Sequence, residues 1–232
     1  MADIGKWQWH DYDVLDSTND LALSYPVYNN DVHIIFTALS QTKGRGRIGR
    51  RWFSPRGNLY MSQLFFSSLP SNQMVYVVAL SIVQTIKKFS PDSYPQIKWP
   101  NDILLNNHKV CGILIEKRSD DAYVIGIGLN LTQTPQIETV YPAASLRDFA
   151  IDISRREFIS TYISLFEKNL MRPFAEIIDD FLSCAYRLRQ TIDVNLPKEK
   201  ISGQFIGIDE NGFLLLKQGQ DVITINTGEI LS

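Results

Sequence analysis

Nine consecutive residues, Gly44-Arg45-Gly46-Arg47-Ile48-Gly49-Arg50-Arg51-Trp52, crowd three glycines and four arginines together and close on a tryptophan. The segment reads as a loop. It lies between two strand-like stretches, Val32–Leu39 and Leu59–Phe66, so the fold must carry it as an excursion between strands. Glycine lets backbone N–H groups face a bound group without a side chain in the way. Arginine supplies rigid forks of donors for carboxylate or phosphate oxygens. The tryptophan offers a flat face for stacking.

Charge sharpens the point. The 232-residue chain has a formal net charge of −2, which advertises no general affinity for nucleic acid. Yet Lys43, Arg45, Arg47, Arg50, Arg51 and Arg56 stand together without an acid among them. Taking those six from 23 basic residues leaves 17 against 25 acidic ones. Three uses fit such a loop on local grounds: gripping a small anionic, aromatic ligand, binding RNA, or simply meeting solvent. It matches neither the P-loop nor the dinucleotide fingerprint.

The remaining pattern is α+β. Asp16-Ser17-Thr18-Asn19 supplies N-cap candidates for a short helix to Ser24, after a strand at Tyr12–Leu15. Ser71–Phe89 is the clearest helix, with Val75, Val78, Ala79, Ile82, Val83 and Ile86 on one face behind a Ser71 cap. Strand-like pieces follow at Gln96–Trp99 and Ile103–Leu105. Val110–Lys117 and Tyr123–Leu131 form a hairpin across Ser119-Asp120-Asp121. Helices are expected over Ser154–Asn169 and Phe174–Tyr186. From about Thr191 short β pieces alternate with Asn211-Gly212 and Gly219, the texture of a small β-barrel. The expected organisation is a main domain over 1–188 and a barrel over 189–232.

Three further segments carry chemistry. Lys98-Trp99-Pro100-Asn101-Asp102 sets two polar residues behind a proline that ends a strand, either as a site or as an ordinary turn with Asx chemistry. Lys109 stands at the entry to an apolar strand, aimed at one oxygen or merely at an edge. Gly112 leaves room for something to lie against that strand, as do the glycines of Gly126-Ile127-Gly128-Leu129-Asn130. Cys111 and Cys184 have no paired spacing, and His10, His33 and His108 have no metal-ligand spacing. No apolar leader opens the chain; Trp7, His10 and Asp11 interrupt it early, so a cytoplasmic protein without a membrane partner is expected.

The order of these motifs resembles that of the biotin–protein ligases, from Asp16–Asn19 through Gln41, Gly44–Arg47, Trp52, Lys98–Asp102, Lys109, Gly112 and Gly126–Asn130. The likeness extends into the tail, at Gly207-Ile208-Asp209, Asn211-Gly212 and Gly228-Glu229-Ile230. The resemblance implies a mixed sheet with helices of the class II synthetase-like kind, followed by an SH3-like barrel. It also implies ATP-dependent activation of biotin to biotinyl-5′-AMP with Mg²⁺ assistance, and transfer to a lysine of a biotin carboxyl carrier domain. By position, Ser17, Thr18 and Gln41 correspond to residues for the polar head of biotin, with Gly44 and Arg45 as walls and Gly112 along the channel. Arg47 corresponds to the phosphate-steadying arginine and Trp52 to the aromatic against adenine. Lys109 corresponds to the lysine between the biotin carboxylate and the α-phosphate. Asn101, Asp102 and Asn130 fall on the nucleotide side, Asp102 also orienting the incoming lysine. No dedicated protein metal site is evident. Some relatives carry an N-terminal helix-turn-helix; here the Asp16–Asn19 motif begins so early that a ligase without DNA binding is expected, with a homodimer left open. The rival of the same fold is a lipoate ligase.

Overall fold

The computed structural model describes residues 2–4, 6–28, 31, 33–119, 121–135 and 142–231. Two expected features touch residues outside that range: the start of a strand at Val32, and Asp120 in the hairpin turn. In chain order the elements are β1 (Ala2–Ile4), β2 (Trp7–Leu15), α1 (Thr18–Ser24), β3 (His33–Gln41), β4 (Leu59–Phe65), α2 (Ser71–Phe89), β5 (Gln96–Lys98) and β6 (Asp102–Leu105). There follow β7 (His108–Lys117), β8 (Tyr123–Leu129), α3 (Arg155–Leu170), α4 (Phe174–Ser183), β9 (Thr191–Asn195), β10 (Lys200–Ile208), β11 (Leu214–Gln218), β12 (Asp221–Ile225) and β13 (Glu229–Ile230). They gather into two compact units, residues 1–69 with 108–163, and residues 70–107 with 164–232.

In the first unit the strands run in the order β1-β2-β3-β4-β8-β7. β2 and β3 are parallel, from Gln8 opposite Ile34 to Leu15 opposite Gln41, and the other pairs are antiparallel. A parallel pair needs a crossover, and α1 lies within it. Ser17 starts that helix, its Oγ accepting from the Asp20 N–H at 3.3 Å. Ala22 of α1 packs with Ile34, Phe36, Leu64, Ala122 and Val124 on one face of the sheet. β4 is buried along its whole length, so its alternate residues face cover on both sides. β2 begins at Trp7, five residues before the expected start. Trp7 and Trp9 are both buried, and the Trp9 indole N–H donates to Thr37 Oγ1 at 2.7 Å.

In the second unit α2 is buried almost all round, and Ser81 and Thr85 return their hydroxyls to the carbonyls of Val77 and Ser81 at 2.7 Å. The expected Ser71 cap is not formed. Pro70 occupies the cap position and makes no side-chain capping bond, so Ser71 is the first helical residue. α4 stops at Ser183, earlier than expected, because Ala185 bridges to Ile97 instead of continuing the helix. The C-terminal strands form an antiparallel sheet in the order β12-β11-β10-β9-β13. Among the described residues this sheet is open rather than a closed barrel, with β12 and the two-residue β13 as its edges.

Candidate active site

The glycine–arginine loop is a small clasp at the end of β3. Its base is tied to the turn before α1: the Thr42 N–H donates to Leu15 O at 3.0 Å, and the Lys43 N–H to Asp16 O at 2.8 Å. Lys43 also pairs with the Asp16 carboxylate at 2.9 Å. Thr42, then Lys43, hold that carboxyl below its ordinary value through hydrogen bonds. The two arms meet where the Trp52 N–H donates to Gly44 O at 2.8 Å and the Gly46 N–H to Arg50 O at 2.7 Å. A side chain at Gly44 is excluded, since its Cβ would stand 2.5 Å from the Trp52 carbonyl oxygen and 2.6 Å from Ser54 Oγ. At the tip Ile48 is 82% exposed and left-handed at φ 55°, a conformation that costs a β-branched residue on the order of 1–2 kcal/mol.

Arg45 is not aimed at solvent. Its Nη1 and Nη2 donate to the two Glu116 oxygens at 3.1 and 2.9 Å, and its Nε donates to Asp20 Oδ1 at 2.9 Å. The Glu116 hydrogen bonds are the first cause of the raised pKa of this guanidinium.

Beside the clasp the residues expected at a polar head do converge. The Thr18 N–H and hydroxyl approach Gln41 Oε1 at 2.8 and 3.2 Å, and Gln41 Nε2 donates to Ser54 Oγ at 2.9 Å. Ser17, Thr18 and Ser54 are buried. Ser17 is committed to the helix cap, so it is no nucleophile. Asn19, named from sequence only within the Asp16–Asn19 motif, belongs to the same cluster, as do Ser54, Ser62 and Glu116, which were not singled out. Gly126 makes room for Asn19: a Cβ there would stand 2.3 Å from Asn19 Oδ1.

The floor is built by β7 and β8, where Gly112 lies opposite Gly128. The close approach expected over Gly112 is made by the indole of Trp52, which spans both glycines. Lys109 Nζ lies 5.3 Å from the centre of that ring, a cation–π distance. The lysine's backbone is braced by its N–H donating to Pro142 O at 2.8 Å and by the Ala144 N–H donating to its carbonyl at 3.1 Å. Asn130 is buried and donates to Ala144 O at 3.0 Å. Trp52 Nε1 and Asn130 Oδ1 are buried atoms without a hydrogen-bond partner among the described residues, and native structures rarely leave such groups unpaired. Cys111 is buried within β7.

The second unit carries Lys98, Asn101 and Asp102. Lys98 and Asp102 are buried and face each other across the β5–β6 hairpin, whose turn contains a cis Trp99–Pro100 bond. This unit also has a recess of about 580 Å³ lined by Lys87, Lys88, Lys168 and Arg172. The three lysines lie in the last turns of α2 and α3, where cations complement the negative helix ends. Among the described residues no group of three or more His, Cys, Asp or Glu side chains gathers to hold a metal, and no helix is long and apolar enough to cross a membrane.

In the first unit, then, hydroxyl and amide groups for a neutral polar head adjoin a cation at a strand entry and an aromatic wall. Among the described residues no side chain stands out as an attacking group. Such a site suits a reaction between two bound molecules, one of them anionic.

Comparison with known proteins agrees. The profile of the biotin/lipoate A/B protein ligase family matches residues 12–131, and that of the biotin protein ligase C-terminal domain matches residues 190–231. The bifunctional ligase/repressor BirA of Bacillus subtilis is 32% identical over 94% of this chain and 72% of that protein. The biotin–[acetyl-CoA-carboxylase] ligase of Paracoccus denitrificans is 32% identical over 90% of this chain and 94% of that one. Among solved structures, the biotin protein ligase of Aquifex aeolicus in complex with biotin and ATP superposes with a TM-score of 0.85. It shares 28% identity and covers 96% of this chain and 97% of that chain.

Proposed function

This chain belongs to the biotin/lipoate A/B protein ligase family, and from that premise we propose that it is a biotin–[acetyl-CoA-carboxylase] ligase working on biotin, ATP and a carrier-domain lysine. A carboxylate oxygen of biotin attacks the α-phosphorus of ATP, and pyrophosphate leaves. The carrier lysine then attacks the acyl carbon of biotinyl-5′-AMP, forming an amide, and AMP leaves.

One observation carries this reading: Thr18 and Gln41 adjoin the Gly44–Trp52 clasp, whose Trp52 lies with Lys109 on the glycine floor of β7 and β8. The first step brings two anions together. At 4 Å, two unit charges repel by about 4 kcal/mol in a medium of dielectric about 20, so a cation between them lowers the barrier directly. Lys109, braced at its strand entry, is suited to that place. Ser17, Thr18 and Gln41 serve the polar head of biotin, with Gly44, Arg45 and Gly112 around it. Arg47 serves the phosphate and Trp52 the aromatic wall. The nucleotide roles of Asn101, Asp102 and Asn130 rest on the family resemblance. Positioning and electrostatics do the remaining work, since no covalent enzyme intermediate is needed.

Magnesium enters this proposal with ATP. The ion is carried by the nucleotide's phosphates. The same reading gives the enzyme a cytoplasmic setting, where ATP and the carboxylases meet.

The test is mass spectrometry of a carrier domain after incubation with the protein, Mg-ATP and either biotin or lipoate. Biotinylation of one lysine is expected. Lipoyl transfer without biotinylation would overturn the assignment.

A further inference from the structure

We propose that Glu116 is a positioning residue that latches the Gly44–Trp52 clasp to the Thr18–Gln41 head-group pair. Its Oε1 accepts from Arg45 Nη1 at 3.1 Å; its Oε2 accepts from Arg45 Nη2 at 2.9 Å and from Asn19 Nδ2 at 2.8 Å. One carboxylate thus grips the first arm of the clasp and the α1 motif together.

The bonds continue past Asn19. A carboxylate only accepts, so Asn19 must turn its NH₂ to Glu116 and its Oδ1 inward. Ser62 Oγ lies 2.5 Å from that Oδ1 and 2.7 Å from Thr18 Oγ1. With a single proton, Ser62 serves Asn19, and the Thr18 hydroxyl is then left to donate to Ser62. The Thr18 N–H still holds Gln41 Oε1 at 2.8 Å, and Gln41 Nε2 reaches Ser54 Oγ at 2.9 Å. Ser54 Oγ donates to the Trp52 carbonyl at 3.0 Å. The path leaves the loop at Arg45 and returns to it at Trp52, having crossed β7, α1, β4 and β3. Glu116 sets the direction of the hydrogen bonds from Asn19 to the Thr18 hydroxyl, and the Thr18 N–H sets it from Gln41 onward. The ionic end is partly exposed, with Arg45 and Glu116 side chains at 37% and 26%, so it contributes little to global stability. Its effect falls on where the clasp sits.

Only the kinetic arm of the test rests on the proposed activity. In native protein, limited trypsin digestion reports opening of the clasp at Arg45, Arg47, Arg50 and Arg51. Glu116→Ala and Glu116→Gln are expected to raise cleavage there about fivefold or more while the thermal midpoint barely moves. Lys117→Ala, which removes the neighbouring pair with Asp121 and the cation over the Tyr123 ring but touches neither Arg45 nor Asn19, leaves cleavage unchanged. In turnover, the Glu116 variants raise the KM for biotin about tenfold with kcat within about twofold. Clasp cleavage at the parent rate in both Glu116 variants, or an equal rise in Lys117→Ala, overturns the latch. Faster cleavage in a protein that never turns over biotin would keep the latch and discard the activity.

Discussion

The indole of Trp52 lies so close over Gly128 that a Cβ on that glycine would stand 2.4 Å from the indole Cε2. Gly112, opposite on β7, meets the same ring; a Cβ there would be 2.8 Å from Cζ3. Two glycines on neighbouring strands thus make one flat bed for one side chain. The glycines are explained by what rests on them, and the arm of the clasp that ends at Trp52 is fixed to the sheet.

Gly128→Ala is therefore expected to dislodge the indole. Overpacking of this kind costs about 1–3 kcal/mol, enough to lift Trp52 from the floor. Tryptophan emission should shift relative to the parent, with the Trp52→Phe variant identifying the source. Biotin-dependent pyrophosphate release should fall about tenfold or more, in line with about 1.4 kcal/mol per decade. Parent-like emission and rate would show that Trp52 does not need this bed.

Lys109→Ala tests the electrostatic step. Loss of one preorganised charge at a reacting centre costs about 10²–10³ in rate, so isotope exchange between pyrophosphate and ATP should fall by that much. The urea unfolding midpoint should stay with the parent, because the lysine is braced through its backbone. Exchange near the parent rate would remove Lys109 from the chemistry.

In the second unit Tyr76 is expected to matter for stability. Its buried hydroxyl donates to Gly212 O at 2.8 Å and accepts from Trp99 Nε1 at 3.0 Å. Tyr76→Phe leaves both partners buried and unpaired, at a cost of about 1–3 kcal/mol. Urea unfolding should show a lower midpoint with an unchanged slope; a midpoint equal to the parent's would contradict the account.

Cys184 contributes to the alkaline limb of stability, beside the buried tyrosines Tyr60, Tyr76 and Tyr162, which burial also raises. Burial pushes its thiol from 9.0 up to about 12. Above about 9 the unfolded chain releases this proton while the folded chain keeps it, so the unfolded state binds fewer protons and stability falls with rising pH. The contribution is fully present below about 9 and is lost as the pH climbs toward 12. Unfolding midpoints measured across that window should fall less steeply in Cys184→Ala than in the parent. Parallel curves would rule the thiol out.

Elements with a local signature were legible in the sequence. α2 announced itself by its apolar spacing, and the β7–β8 hairpin by a polar turn between two apolar runs. The Ser71 cap failed because the chain has Pro70 at the cap position, where φ is already fixed near the value it needs. The open C-terminal sheet was read as a barrel because short strands and Asn-Gly turns look the same in either arrangement. At the site, Thr18 lies against Gln41 and Lys109 over the Trp52 ring; the second contact joins two motifs that the sequence could only treat separately. Ser62 and Glu116 were missed, and Asn19 was read only as part of a cap motif, because a buried amide, a strand serine and a strand-end carboxylate look ordinary until they meet.

The sequence alone determined that positive charge, glycine and tryptophan gather in one loop, and that the chain also holds a capped helix and a strand-entry lysine. Those properties are local and follow from residue type. Tertiary structure alone decided that Arg45 turns to Glu116, 71 residues away, and that Asn19 reaches the same carboxylate across 97 residues. It also decided that Trp52, and not open space, covers Gly112 and Gly128. These pairings depend on which strands neighbour one another and in what register. A shift of one residue would turn every side chain of a strand to its other face, and that register is set by the buried faces of the whole sheet rather than by any one segment.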